Sequence, residues 1–258
     1  MTDLIERVAV VTGAASGIGE SIVQTLVQEN CIVAMLDRDN SQLQRVAESL
    51  KAVGRGDRVR PFQADVRNAS ALRGITEEIA SYKGGIDVVV NCAGIVRVGP
   101  FCEITEAEWK EVLDINLNGV FNTCQATIPA LRKARGGNIV NVASWFGKIG
   151  RPYYAAYCAS KFAIIGLTQV LAQELARDRI RVNAVCPGTV GETAMRDYAD
   201  ARSKELGIPD ARERTAQIPW GRLARSQDVA DAVAFLTSEK ADYFTGQALN
   251  VTGGLWML

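Results

Sequence analysis

Short runs of consecutive apolar, often β-branched residues alternate along this chain with longer stretches in which apolar residues return every three or four positions. A run that is apolar throughout suits a strand covered on both faces, whereas the longer spacing suits a helix with one face against a core. The runs predict strands at Val8–Val11, Ile32–Leu36, Val59–Phe62, Val88–Asn91, Asn138–Val142, Arg181–Val185 and Ala248–Val251. The amphipathic stretches predict helices at Ile18–Glu29, Ser41–Val53, Ala69–Tyr82, Glu106–Arg135, Tyr154–Arg177 and Gln227–Leu236. Thr105 followed by Glu108 is a capping-box pattern, and Ser226 reads as an N-cap. Strand–helix alternation over the whole length predicts an α/β fold: a doubly wound, seven-stranded parallel sheet with helices on both faces. No linker rich in Pro, Gly or Ser divides the 258 residues, so a single domain, 1–258, is expected. The charged stretch from about 189 to 221 breaks the rhythm and reads as a substrate loop or lid.

Composition narrows the function classes. Twenty-nine basic and twenty-nine acidic residues cancel and no basic run stands out, which argues against nucleic acid or a membrane surface as partner. The six cysteines are scattered without a CxxC and the chain contains no histidine, so free buried thiols are expected rather than disulfides or a metal site. The first seven residues are too polar for a signal peptide, and no apolar run approaches the roughly 18 residues of a membrane span, so a cytoplasmic protein is expected.

Without histidine, acid–base chemistry has to come from another side chain. Tyr157 and Lys161 stand four apart on a predicted helix, hence on one face. An ammonium beside a phenol favours the phenolate, so a Tyr157 pKa below its ordinary value of about 10 is expected. At the other end of the chain, the first strand runs into Gly13-Ala-Ala-Ser16-Gly17-Ile18-Gly19 and then a helix. Glycines there permit a tight turn and close approach of backbone N–H groups to a pyrophosphate, which also meets the helix N-terminus. Asp37 ends the second strand, eighteen residues after Gly19. A carboxylate at that point accepts from ribose hydroxyls and repels a 2′-phosphate, which points to NAD rather than NADP.

On these motifs the chain resembles the short-chain dehydrogenase/reductase family over essentially its whole length, which implies a Rossmann fold. Thr12-Gly13-x-x-x-Gly17-x-Gly19 resembles the cofactor loop, Asp65-Val66 the adenine-side pair, and Asn91-Cys92-Ala93-Gly94 the segment ending the fourth strand. Asn116, Ser144, Tyr157 and Lys161 fall at the catalytic tetrad, and Pro187-Gly188 at the turn beside the nicotinamide, with Val190 and Thr193 following on the cofactor. Cys92 stands where a second asparagine is usual and Thr252 where an aspartate is usual. The resemblance implies hydride transfer between nicotinamide and a secondary alcohol or carbonyl. Tyr157 would exchange the proton, Lys161 would hold the nicotinamide ribose and lower the Tyr157 pKa, Ser144 would orient the substrate oxygen, and Asn116 would hold a water.

Substrate candidates are Arg97, Phe146, Lys148, Arg151, Tyr154 and Thr189 beside Ser144 and Tyr157. Aromatic faces with interleaved polar groups suit a sugar or polyol, and the three cations admit an anionic sugar. The alternatives are a 3-oxoacyl-acyl-carrier-protein reductase and, outside catalysis, a dinucleotide-binding sensor. The resemblance also implies a homodimer or homotetramer, with an apolar tail, Leu255–Leu258, packed on a neighbour.

Overall fold

A computed structural model describes residues 6–83 and 85–258. Seven parallel strands form one sheet: β1 (Val8–Thr12), β2 (Ile32–Asp37), β3 (Val59–Gln63), β4 (Val88–Asn91), β5 (Gly137–Val142), β6 (Ile180–Pro187) and β7 (Ala248–Val251), in the order β3-β2-β1-β4-β5-β6-β7. The helices are α1 (Gly17–Gln28), α2 (Asn40–Ala52), α3 (Ala69–Lys83), α4 (Glu106–Leu113), α5 (Gly119–Lys133), α6 (Ala155–Leu175), α7 (Ala194–Glu205) and α8 (Ser226–Thr237).

The apolar strand runs are apolar because both faces are covered. On one face, Ala9, Val11, Val33 and Val88 pack with Ile22 and Leu26 of α1, Leu43 and Val46 of α2 and Val233 of α8. On the other, Val8, Val10, Val89 and Ile139 pack with Leu72 of α3, Leu131 of α5 and Ile164 of α6. Alternate residues of β1 therefore serve opposite layers, as the two-residue period of a strand requires. The strand order reverses between β1 and β4, and the crevice beyond their carboxyl ends is where such sheets bind ligands.

Four local features depart from the reading of the sequence. The long helix expected over 106–135 contains a π-helical turn, Asp114–Asn118, which turns Ile115 and Asn116 into the interior. The stretch read as a loop contains α7, capped by Thr193, whose hydroxyl accepts the Arg196 N–H at 3.1 Å. Only Ala199 and Ser203 are buried along α7, a stripe of small residues too narrow to register as hydrophobic periodicity. Ser226 is the first residue of α8 rather than its cap, and the Asp228 carboxylate takes the Arg225 N–H at 2.7 Å instead. Cys102 is exposed, against the expectation of burial, while Cys31, Cys124, Cys158 and Cys186 are buried and all six are free thiols.

The stretch Ala155–Asp178 is long and apolar enough by composition to cross a membrane, with mean hydropathy 1.4, against the expectation that no run approaches that length. One side of it packs against β6 and carries the buried Lys161, while Phe162 and Val170 stay about half exposed.

Candidate active site

A cleft of about 540 Å³ opens along the carboxyl ends of the central strands. One wall is the turn between β1 and α1. Thr12 closes β1 and its hydroxyl accepts the N–H groups of Cys92 and Ala93 at 3.1 and 3.3 Å, tying this turn to the end of β4. Gly13 has φ +67°, and a Cβ there would lie 2.8 Å from the Ala93 backbone; a Cβ on Gly19 would lie 1.9 Å from the Gly13 carbonyl oxygen. The turn is thus closed so tightly that only hydrogen fits at these positions. Gly13, Ser16, Gly17, Ile18 and Gly19 line the cleft, and Asp37, Arg38, Asp65 and Val66 continue the wall to one end. Asp37 accepts the N–H groups of Ala15 at 3.2 Å and Asp39 at 3.0 Å, which fixes its carboxylate at the mouth of the glycine turn. Asp65 is gripped by both ends of the Arg67 guanidinium, which holds its carboxyl below the usual range.

Towards the other end stand Cys92, Ala93 and Gly94 after β4, Ser144 after β5, Tyr157 and Lys161 on α6, and Pro187, Gly188, Thr189, Val190 and Thr193 after β6. The Ser144 hydroxyl accepts the Phe146 N–H at 3.1 Å and stands next to the Tyr157 phenol, which it pulls towards the ionised form. Lys161 is buried, donates to the Val142 carbonyl at 2.7 Å, and holds its Nζ 5.5 Å from the centre of the Tyr157 ring.

Asn91 and Asn116, expected at the site, are buried behind the residues that line the cleft. Asn91 is buried in the sheet and donates to Asn141 at 2.8 Å. Asn116 is fully buried: its Oδ1 accepts the Ile95 N–H at 2.8 Å, and its Nδ2 donates to the Ile95 carbonyl at 2.9 Å and the Ser160 hydroxyl at 3.1 Å. Ser160 in turn donates to the Tyr157 carbonyl at 2.7 Å. The π-helical turn thereby clamps the segment after β4 to the helix that carries Tyr157.

The expected lowering of the Tyr157 pKa is absent in the free protein. Burial pushes the phenol up to about 12, and the Ser144 hydroxyl and the Arg196 charge offset this only in part. Burial likewise pushes the Lys161 ammonium down to about 8. The unfolded chain holds the lysine proton to about 10.5, so the unfolded state binds more protons between pH 8 and 10.5 and stability rises with pH across that window. Below pH 8 the penalty is complete, roughly 3 kcal/mol. Thermal unfolding of Lys161→Met should therefore gain most on the wild type below pH 8, with the advantage shrinking towards pH 10.5; a pH-independent difference would refute the assignment.

Of the expected substrate residues, Arg97, Ser144, Phe146, Tyr154, Tyr157 and Thr189 line the cleft. Lys148 does not: its ammonium donates to the Ala248 carbonyl at 2.7 Å, on the edge strand. Arg151 is absent from the lining as well. Arg97 is paired with Glu111 at 2.6 Å and stacked over Tyr198 at 5.6 Å, so its charge is already matched. Residues not anticipated, Arg196, Tyr198, Ala199 and Arg214, enter from α7 and the segment after it. The only signal they left was the charge of the stretch 189–221.

The cleft runs unbroken from Asp37 and Asp65 to Tyr157 and Lys161, past a glycine turn at a helix N-terminus, and so fits an extended dinucleotide. The family model described as short chain dehydrogenase matches residues 7–204. The chain belongs to the short-chain dehydrogenase family. Its relatives match along their full length. The 3-oxoacyl-(acyl-carrier-protein) reductase FabG of Staphylococcus aureus is 41% identical over 96% of this chain and 98% of the relative. Nodulation protein G of Rhizobium sp. (strain N33) is 39% identical over 100% of both chains. The FabG of Thermotoga maritima is 36% identical over 96% of this chain and 97% of its own. Among solved structures, the crystal structure of gox2181 superposes with a TM-score of 0.89 at 32% identity, covering 97% of this chain and 96% of that one. This short-chain dehydrogenase is an NAD(P)-dependent oxidoreductase acting on a CH–OH or carbonyl group.

Proposed function

We propose that this enzyme reduces the 3-oxo group of acyl thioesters, the alternative in the reading of the sequence, rather than oxidising a sugar or polyol. The full-length similarity to 3-oxoacyl reductases of two distant bacteria is the observation that carries this reading. The chemistry of the cleft agrees with it. Val96, Trp145, Phe146 and Tyr154 make an apolar wall beside Tyr157, which suits an acyl chain better than a polyhydroxylated one. A phenol held near 12 stays protonated at neutral pH, the starting state of a proton donor in reduction.

When bound, nicotinamide supplies the hydride. Ser144 and Tyr157 hold the substrate oxygen, and the Tyr157 hydroxyl passes its proton to that oxygen as it becomes the alcohol. Lys161, anchored on the Val142 carbonyl, offers its remaining N–H donors and its charge to the cofactor ribose and the phenol. Asn116 keeps the Gly94–Ile95 segment in place opposite them.

Asp37 favours NADH over NADPH in this reading, because a carboxylate facing the ribose repels a 2′-phosphate. Asp37→Ser should remove the repulsion and leave Arg38 as the nearby cation, shifting the ratio of kcat/KM for NADPH over NADH upward by about tenfold or more. An unchanged ratio would remove Asp37 from cofactor choice. The reading as a whole is tested by initial rates on acetoacetyl thioesters with NADH and NADPH, beside polyols and aldoses with NAD and NADP. Oxidation of polyols without thioester reduction would restore the sugar reading. The reading places the enzyme in the cytoplasm as a homodimer or homotetramer. Phe121 on α5 and Phe162 and Val170 on α6, each about half exposed, offer an apolar face to a second copy.

A further inference from the structure

Arg196 stands in the cleft wall, where its one part so far is the pull of its charge on the Tyr157 phenol. It lies in the first turn of α7, with its side chain only 15% exposed, and its charge reaches the Tyr157 phenol. Among the described residues its ionic partner is Asp200, one turn along, at 2.9 Å from Nη2. The same Asp200 oxygen also takes the Ala211 N–H at 3.0 Å. Nε and Nη2 are closed off from solvent and neither makes a hydrogen bond with the described residues; the Nη2 contact with Asp200 is an ion pair without hydrogen-bond geometry. A guanidinium presents five donors and does not lose its charge, so donors left unmade in a closed environment are costly unless a ligand accepts from the same group. Of the other arginines on that side, Arg97 is matched by Glu111 and Arg214 enters from the segment after α7.

We infer that Arg196 selects the substrate, by donating to an oxygen that the substrate carries beside its reacting carbonyl. This rests on the 3-oxoacyl reading, in which that oxygen is the thioester carbonyl. A free 3-oxo acid presents the same acceptor chemistry as a carboxylate. A simple ketone held by Ser144 and Tyr157 has no such oxygen and leaves Arg196 unused.

The test compares the wild type, Arg196→Gln, Arg196→Lys and Asp200→Asn on acetoacetyl-CoA, acetoacetate and 2-pentanone, with calorimetric binding of the first two to the enzyme carrying the oxidised cofactor. Loss of a charge-assisted hydrogen bond predicts a roughly 10- to 100-fold fall in kcat/KM for the oxo-acyl compounds in Arg196→Gln. The fall should sit mainly in KM, with matching weaker binding, while 2-pentanone turnover changes by no more than a few-fold, the common effect of losing a charge near Tyr157, and the dissociation constant for NADH stays put. Arg196→Lys should recover part of the loss. Asp200→Asn, which breaks the same ion pair but keeps the guanidinium, should not reproduce it. An equal loss on all three compounds, no loss, or the same selective loss in Asp200→Asn would overturn the inference. Turnover of acetoacetate but not the thioester, still dependent on Arg196, would uphold the inference and refute the thioester reading. Thioester turnover indifferent to Arg196→Gln would do the reverse.

Discussion

Tyr157→Phe is expected to lower kcat by about a thousandfold or more, while NADH binds within about threefold of the wild-type affinity. The substitution deletes one oxygen and nothing else. The ring keeps its edge-on contact with Phe146, whose centre is 6.1 Å away, so the wall holds its shape. The proton donor is lost, and no other residue can replace it: the chain has no histidine, and Lys161 is held on the Val142 carbonyl. Ser144 would still bind the carbonyl oxygen, but an alcohol of ordinary pKa makes a poor acid. Stopped-flow reduction with NADH fluorescence separates binding from chemistry. Activity near wild type would refute Tyr157 as the donor, and a matching loss of NADH affinity would make it a cofactor ligand instead.

The second large effect belongs to the glycine turn. Gly19→Ala is expected to weaken NADH binding by about a hundredfold and to destabilise the fold by roughly 1–3 kcal/mol. Its Cβ would fall 1.9 Å from the Gly13 carbonyl oxygen and 2.7 Å from the Gly13 carbonyl carbon. Both obstacles are backbone, so no side-chain rotation relieves the clash, and the turn must open where the pyrophosphate would lie. A fall in melting temperature of roughly 2–4 °C per kcal/mol follows for a chain of this size. Gly74 on α3 serves as the control, because a Cβ there meets nothing within 4 Å; Gly74→Ala should leave binding unchanged and raise stability by up to about 1 kcal/mol. Equal behaviour of the two variants would mean that the crowding at Gly19 is relieved without cost.

The inner strands β1 and β4 were legible because burial on both faces writes itself as an apolar run, while the edge strands β3 and β7 are only partly buried; all seven lie within about two residues of their expected ends. The glycine turn was legible for a similar reason, since only glycine fits where its backbone closes on itself. Tyr157 and Lys161 were legible as a pair because helix geometry alone places residues four apart on one face.

Their environment was not. Spacing suggested that the lysine would lower the tyrosine pKa, but pKa depends on what surrounds the phenol, and burial there raises it against the pull of Ser144 and Arg196. Lys148 and Arg151 are cations next to the site in sequence, yet backbone direction carries Lys148 to the Ala248 carbonyl. Asn116 could be placed in a helix, but only the π-helical turn aims it inward at Ile95.

The sequence by itself thus determined the α/β alternation, the glycine turn and the placing of Tyr157 and Lys161 on one helix face, because each is a local pattern with a local cause. The tertiary structure alone decided the substrate wall. Arg196 and Tyr198 reach the cleft from a helix whose buried stripe is only Ala199 and Ser203, and their neighbours across it, such as Arg97, lie about a hundred residues away in the chain. Contacts over that separation exist only once the sheet has brought the ends of its strands together.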